Sequence, residues 1–321
     1  MKIAIVTSNL GLKGGVEVFN RDLKKIFNRE GHQVDIYGIQ SLETTPEKDL
    51  EKKVGEHFNK VNEKKQYDLA ICNGEFGYSV DHPRAINVFH GNYYGYALAL
   101  KDLVPKELTD ERLRRAGIQN ESAKGKYVVT VSSSSKEQLE ESGVPVDQIV
   151  PNSVDPEIFF PQEMPVGDHY IALARGRYYE KGFDIIGRLA DKGMAIKLFS
   201  DRELENENIQ NEGFVGNDTL REEYNKAKTL LFPSRFEGGS LTPLEAMACG
   251  CPIVTTPTGY GKDIKEDIKN FVAENFDEFF VKAILVANER EKYSKLALEY
   301  FNDNHHPNKF KENWLSLIKK I

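Results

Sequence analysis

The chain has 321 residues, 40% of them hydrophobic and 29% charged, which is enough apolar sequence for two ordinary domains, each with its own core. Its 43 Lys and Arg against 50 Asp and Glu leave a net charge of −7, which argues against a surface built to neutralise a nucleic-acid backbone. Cys72, Cys249 and Cys251 are odd in number and lack the CxxC spacing of a zinc or redox motif, so buried, reduced thiols in a cytoplasmic setting are expected. The opening MKIAIVTSNL runs from one lysine straight into a short apolar stretch, without the long hydrophobic region of a secretion signal. No later run reaches the roughly eighteen apolar residues of a membrane span.

Short β-branched runs alternate with segments of helical period. KIAIVTS at 2–8 predicts a first strand, and VEVFNRDLKKIFNREG then places Val16, Phe19, Leu23, Ile26 and Phe27 on one helical face. QVDIYG at 33–38, YDLAICN at 67–73, AINVFH at 85–90 and YVVTVSS at 127–133 predict further buried strands. This alternation specifies a parallel sheet covered on both faces. The pattern begins again with strands at 170–175, 195–200, 229–234 and 252–256, separated by helices near 183–192, 218–228 and 242–249. Two Rossmann-like α/β units in tandem are therefore expected.

VPNSVDPEIFFPQEMPVGDH, with four prolines and little periodicity, is the linker candidate, and the boundary is placed near residue 162. The expected division is 1–162, 163–305 and a closing segment 306–321. A long helix is predicted over about 277–302, followed by the turn-like NDNHHP and the amphipathic NKFKENWLSLIKKI. His305 and His306 are expected at the surface.

The stretch FEGGSLTPLEAMACGCPIV, residues 236–254, concentrates the chemistry. Glu237, Gly238, Gly239 and Ser240 follow a strand end and lead to a helix N-terminus, where unpaired amides favour anions and ligands. Two readings compete for Glu245. With Thr242 as N-cap and Pro243 at the first helical position, Glu245 is the third residue of a capping box; alternatively its carboxylate faces a ligand. Gly250 ends that helix before the strand PIVTT. Arg175, Arg177 and Lys181 crowd the loop after strand YIALAR, a source of positive charge for an anionic ligand; the bland alternative is a solvated basic loop. The sequence lacks the DxD pair of metal-dependent sugar transferases. Gly14 and Gly15 open the first helix, so their amides can approach a phosphate or an acceptor closely, unless they serve a tight turn only.

The two glutamates with seven residues between them, followed by AMACGCPIV, resemble the donor-binding signature of retaining glycosyltransferases of the GT-B fold, glycosyltransferase family 4. GGVE at 14–17, EGHQV at 30–34, TVSSSSKEQLEESGV at 130–144, VPNSVD at 150–155, RGRYYEKGFD at 175–184 and GFVGNDTLREEYNKAKTLLFPS at 213–234 occur in the family's order across nearly the whole chain. The resemblance implies two Rossmann-like domains facing across a cleft. The second would hold a nucleotide-diphosphate sugar, the first would shape the acceptor site, and the helix around Trp314 would return to the first domain. It further implies that Glu245 grips the two ribose hydroxyls and that Glu237 contacts the donor sugar. The amides from Gly239 through Ser240 and Leu241 to Thr242 would fix sugar and phosphate. Val215 and Asn217 fall in the family's base-binding loop, and His90, ending strand AINVFH, stands where the family's histidine touches the donor sugar. Lys181 corresponds to the family's lysine. Arg177 stands closer to it than the family's arginine does, whereas Arg175 sits at the wider spacing. His32 matches a structural position.

The activity implied is transfer of a sugar with retention of configuration, from a UDP-sugar by preference and a GDP-sugar next, to an unidentified acceptor, with no cofactor and no divalent metal. A same-face displacement assisted by the leaving phosphate would need no protein base. A catalytically inactive sugar-nucleotide-binding scaffold and a nucleotide-sugar epimerase of similar architecture are the alternatives. Basic residues between 101 and 126 are interleaved with Asp102, Glu107, Asp110, Glu111 and Glu121, which leaves little net attraction to anionic lipid. Peripheral membrane contact stays open beside the cytoplasmic reading.

Overall fold

The β-branched runs and the amphipathic segments between them build two parallel α/β units. The computed structural model describes residues 1–10, 14–43 and 48–321. One compact unit comprises Met1–Val150 together with Lys311–Ile321, and the other comprises Pro151–Phe310. The boundary expected near residue 162 lies inside the second unit, because Val154 and Phe159 are buried in that unit's core.

In chain order the first unit contains β1 (Lys2–Val6), α1 (Gly15–Arg29), β2 (Gln33–Tyr37), α2 (Leu50–Lys65), β3 (Leu69–Asn73), β4 (Ala85–Phe89), α3 (Tyr93–Leu100), α4 (Lys106–Ala123), β5 (Tyr127–Thr130), α5 (Ser133–Glu141) and β6 (Gln148–Ile149). Its six-stranded sheet has the order β2-β1-β3-β4-β5-β6, with every pair parallel. The expected face of α1 is the one it packs: Phe19, Leu23 and Phe27 are buried, with Val16 and Ile26 half-buried. Helices α2, α3, α4 and α5 have no counterpart in the strand pattern. Of these, α5 begins where the Ser132 hydroxyl accepts a hydrogen bond from the Ser135 amide at 3.1 Å.

The second unit contains β7 (Tyr170–Ala174), α6 (Phe183–Asp191), β8 (Ile196–Ser200), β9 (Ile209–Asn211), α7 (Asn217–Lys226), β10 (Leu230–Phe232), α8 (Leu241–Ala248), β11 (Ile253–Thr255), α9 (Phe276–Asn288) and α10 (Arg290–Asn304). Its parallel sheet has the order β11-β10-β7-β8-β9. The single helix expected over about 277–302 is two, because Glu289 leaves helical geometry at φ −103°, ψ 31°. Asn302, Asp303 and Asn304 belong to α10 rather than to a turn, and His305 is buried, 2% exposed, not a surface residue. Its Nδ1–H donates to the Asn152 carbonyl at 3.0 Å, and its ring packs edge-on to Tyr260. Among the described residues no helix is long and apolar enough to cross a membrane.

The last helix, α11 (Pro307–Lys320), contributes its residues from Lys311 onward to the first unit. Trp314 is fully buried there, with ring-centroid separations of 5.6 Å to Phe19 and 6.4 Å to Phe27. Each sheet has one switch point where the strand order reverses: between β1 and β3 in the first, and between β7 and β10 in the second. The carboxyl ends of those strands are where open α/β sheets receive ligands.

Replacing Trp314 with Ala removes the largest buried side chain of this unit and should destabilise it by about 3–5 kcal/mol. Urea unfolding followed by near-ultraviolet circular dichroism measures the loss; a change below about 1 kcal/mol would show that α11 is not held by this indole.

Candidate functional site

At the switch point of the second sheet, two loops leave β7 and β10. The first carries Arg175, Arg177 and Lys181, and the second carries Glu237 through Ser240. They are stitched at the backbone. The Arg235 amide donates to the Glu180 carbonyl at 2.8 Å, and its guanidinium donates to the Tyr179 carbonyl at 2.8 Å and bidentately to Asp184 at 2.7 and 2.6 Å. Gly182 closes the first loop at φ +69°, and a Cβ there would run into the Pro233 carbonyl, so only glycine lets the loops approach this closely.

Across this seam Lys181 Nζ donates to Glu237 Oε1 at 2.7 Å and lies 3.3 Å from Glu180 Oε1. The Lys181 and Glu237 side chains are 20% and 11% exposed, which makes this a largely desolvated pair. Burial acts to lower the Lys181 pKa, but the Glu237 and Glu180 carboxylates outweigh it and hold the ammonium above its ordinary value. Arg177 is exposed and turns towards Glu180, 3.6 Å away. Arg175, also exposed, lies over the Phe214 ring at 4.3 Å. The three cations therefore share a loop but not one point.

Helix α8 starts earlier than the capping-box reading requires. Ser240 is its N-cap, in extended geometry, which puts Thr242 and Pro243 second and third in the helix and Glu245 fifth. Thr242 is thus not the cap, and Glu245 is beyond reach of that role. Pro243 is still tolerated, since the amides of the first turn have no helical partner. The far end matches expectation: Gly250, at φ +71°, and Cys251 donate to the Met247 and Ala246 carbonyls at 3.0 and 2.9 Å in a Schellman arrangement.

Glu245 points instead to Tyr224 of α7, whose hydroxyl donates to Oε2 at 3.2 Å. Burial raises its pKa to about 7, opposed by the Tyr224 hydrogen bond and the Arg175 charge. Val215 is half-buried against the second core, and Asn217 is exposed at the start of α7. Phe214, 59% exposed, supplies an aromatic face beside them that the sequence reading passed over. Gly238 is buried and Gly239 half-buried, and Asn152 Nδ2 donates to the Gly239 carbonyl at 3.1 Å, which fixes that turn from the chain segment after β6.

In the first unit, His90 follows β4 at the same edge as the β1–β3 switch point. A hydrogen-bond chain runs from it into the sheet. His90 Nε2 meets Asn73 Oδ1 at 2.9 Å, Asn73 Nδ2 donates to Asn20 Oδ1 at 2.9 Å, and Asn20 Nδ2 donates to Thr7 Oγ1 at 3.1 Å. Because Asn73 Oδ1 can only accept, Nε2 carries the ring proton. Burial lowers the His90 pKa to about 4, and Phe19 packs against the ring at 4.5 Å, so the imidazole is neutral at physiological pH. Gly14 is the N-cap of α1 at φ −92°, and among the described residues nothing lies within 4 Å of where a Cβ would stand on Gly15.

Comparison with known proteins bears on the second unit directly. Residues 171–288 match the family described as glycosyl transferases group 1. The second unit carries a glycosyl transferases group 1 domain. The chain is 28% identical over 149 residues to the poly(glycerol-phosphate) alpha-glucosyltransferase of Bacillus subtilis, 44% of this chain and 22% of that one. It is 26% identical over 231 residues to an uncharacterized glycosyltransferase of Methanocaldococcus jannaschii, 62% of this chain and 64% of that one. The chain thus spans less than two thirds of either curated relative. The solved sucrose-phosphate synthase of Thermosynechococcus elongatus superposes with a TM-score of 0.80 at 14% identity, covering 99% of this chain and 98% of that one. The fold is the GT-B fold of glycosyltransferases.

The raised Glu245 pKa makes a stability prediction with a definite sign. An acid whose folded pKa lies above its unfolded value of 4.5 stabilises the protein most when protonated, so the parent loses stability as pH rises from about 4.5 through about 7. The loss is on the order of 2–3 kcal/mol. Glu245→Gln should be free of it, melting several degrees above the parent at pH 8 and close to it at pH 5. Scanning calorimetry at the two pH values decides; equal melting at pH 8 would mean the carboxylate is already ionised at no cost.

Proposed function

We propose that this protein is a retaining glycosyltransferase that takes a nucleotide-diphosphate sugar on its second unit and passes the sugar to a hydroxyl acceptor. The observation that carries the reading is the Lys181–Glu237 pair, desolvated and seated beside the amide-bearing turn at the second sheet's switch point. A diphosphate brings negative charge, which the Lys181 ammonium and the amides at the start of α8 stabilise. Glu237 offers acceptor oxygens to sugar hydroxyls. Glu245 has two oxygens matched to a ribose diol, and Arg175 on Phe214 provides a flat cationic surface for a base. The neutral imidazole of His90 suits a hydrogen bond to a sugar hydroxyl better than an ion pair.

In the reaction, the bond between the anomeric carbon and the leaving phosphate breaks while the acceptor oxygen bonds to the same face. The acceptor proton passes to a phosphate oxygen. No protein base is required for that balance. A uridine nucleotide is the first choice of donor and a guanosine nucleotide the second. The amides and cations are proposed to stabilise the leaving group without a divalent metal.

Calorimetric titration of UDP and of a UDP-sugar tests this. Chelator should change UDP affinity by less than about tenfold, and a larger fall would reinstate a metal. Lys181→Ala should weaken UDP far more than uridine.

The two carboxylates separate in the same assay. Glu245→Gln should cost about 1.5–3 kcal/mol of UDP affinity, with little loss for a 2′,3′-dideoxy analogue. Glu237→Gln should leave UDP nearly unaffected and weaken the UDP-sugar. Because the diol is gripped by the ionised form, parent affinity should rise with pH through about 7 relative to Glu245→Gln. Should Glu245→Gln bind UDP as well as the parent does at pH 8, the ribose role is wrong.

A further inference from the structure

The switch point of the first sheet holds a second polar cluster that the donor reading leaves unused. Directly after β3, Gly74 turns the chain at φ +54° into the short 3₁₀ helix Gly74–Gly77 and presents Glu75 at the sheet's carboxyl edge. Three groups point at its carboxylate. Tyr93 Oη reaches Oε1 at 3.3 Å, Arg115 reaches Oε1 at 3.4 Å, and Gln119 Nε2 reaches Oε2 at 3.3 Å. The Arg115 guanidinium also lies 4.4 Å over the Tyr93 ring.

These contacts are slack. A charge-assisted N–H···O bond normally closes to about 2.7–2.9 Å, yet among the described residues Glu75 has no hydrogen bond shorter than 3.3 Å while its side chain is only 19% exposed. A largely desolvated carboxylate with loose donors keeps acceptor capacity for a ligand hydroxyl. Two residues back along the chain, Asn73 holds His90, so the same edge also carries a neutral imidazole. Tyr93 adds a half-buried aromatic ring.

We propose that Glu75, Tyr93 and Arg115 form a binding site for an uncharged saccharide or polyol, with Glu75 accepting from its hydroxyls and Tyr93 lying against its carbon face. Glu75 neutralises Arg115, so a phosphorylated or carboxylated ligand gains nothing from the cation and is repelled by the carboxylate. The pair therefore selects against anionic acceptors. The inference rests on the transferase reading only in naming the ligand an acceptor.

Saturation-transfer NMR on the full chain tests it without donor, so it can succeed or fail independently of UDP binding. The probes are methyl α-glucoside, methyl α-N-acetylglucosaminide and glucose 6-phosphate. The parent should respond to the methyl glycosides and only weakly to the phosphate. Glu75→Gln should weaken the glycosides by roughly tenfold and strengthen glucose 6-phosphate, because Arg115 is then uncompensated. The double variant Glu75→Gln/Arg115→Met should lose that gain. A purely structural cluster would not invert ligand preference, and melting temperatures control for folding. No transfer to either glycoside in the parent, parent preference for the phosphate, or an unchanged response in Glu75→Gln each overturns the proposal.

Discussion

Everything proposed for the second unit hangs on one ion pair, Lys181 with Glu237, made across the seam between the loops that follow β7 and β10. Removing two ions from water costs several kcal/mol each, and the cost is recovered only where geometry is good and further hydrogen bonds complete the shells. The Arg235 clamp on Tyr179 and Asp184 supplies that geometry, as does the backbone bond from Arg235 to Glu180. An ammonium has three donors, and Glu237 and Glu180 take two of them. The pair is thus held in place from both loops.

Glu245 illustrates a different constraint. A helix that begins at Leu241 with Ser240 as its cap needs no acid at its fifth position, and burial makes the ionised form costly. One oxygen takes the Tyr224 hydroxyl, and the nearby Arg175 charge offsets part of the desolvation. A carboxylate kept where it weakens the fold is what a binding function predicts and a packing function does not.

How much of this was legible in the sequence depends on the range of the interaction. Buried parallel strands are written as continuous apolar runs, so β1 to β5 and the strands from β7 on, except the short β9, were readable, and so was the buried stripe of α1. Helices α3 and α4 were not. YYGYALAL is apolar nearly all round and KELTDERLRRAGIQNESA is polar nearly all round, so neither shows a helical stripe; their identity comes from packing on each other. The cap of α8 was misplaced because Ser240 and Thr242 are both good caps and only the backbone chooses between them. Glu237, Glu245 and Lys181 stood out as candidates through their resemblance to a family pattern, but the partners they meet could not be read. Arg235 sits two residues before Glu237 and reads as an ordinary surface arginine until Asp184, fifty-one positions away, is brought beside it. His305, in the polar run NDNHHP, gave no sign of the Asn152 carbonyl it would meet.

The two sheets differ in strand order, and their carboxyl edges carry different chemistry. At the end of β7 and β10 the chain concentrates cations and helix-start amides, with Glu237 and Glu180 holding Lys181 and Glu180 also 3.6 Å from Arg177. At the end of β3 and β4 it suppresses net charge at each step. His90 is held neutral by burial, Asn73 and Asn20 relay hydrogen bonds without charge, and Arg115 is matched by Glu75. Electrostatic stabilisation in a partly desolvated site acts on whatever charge is present. The neutrality of the first-unit edge follows from particular side chains rather than from the fold.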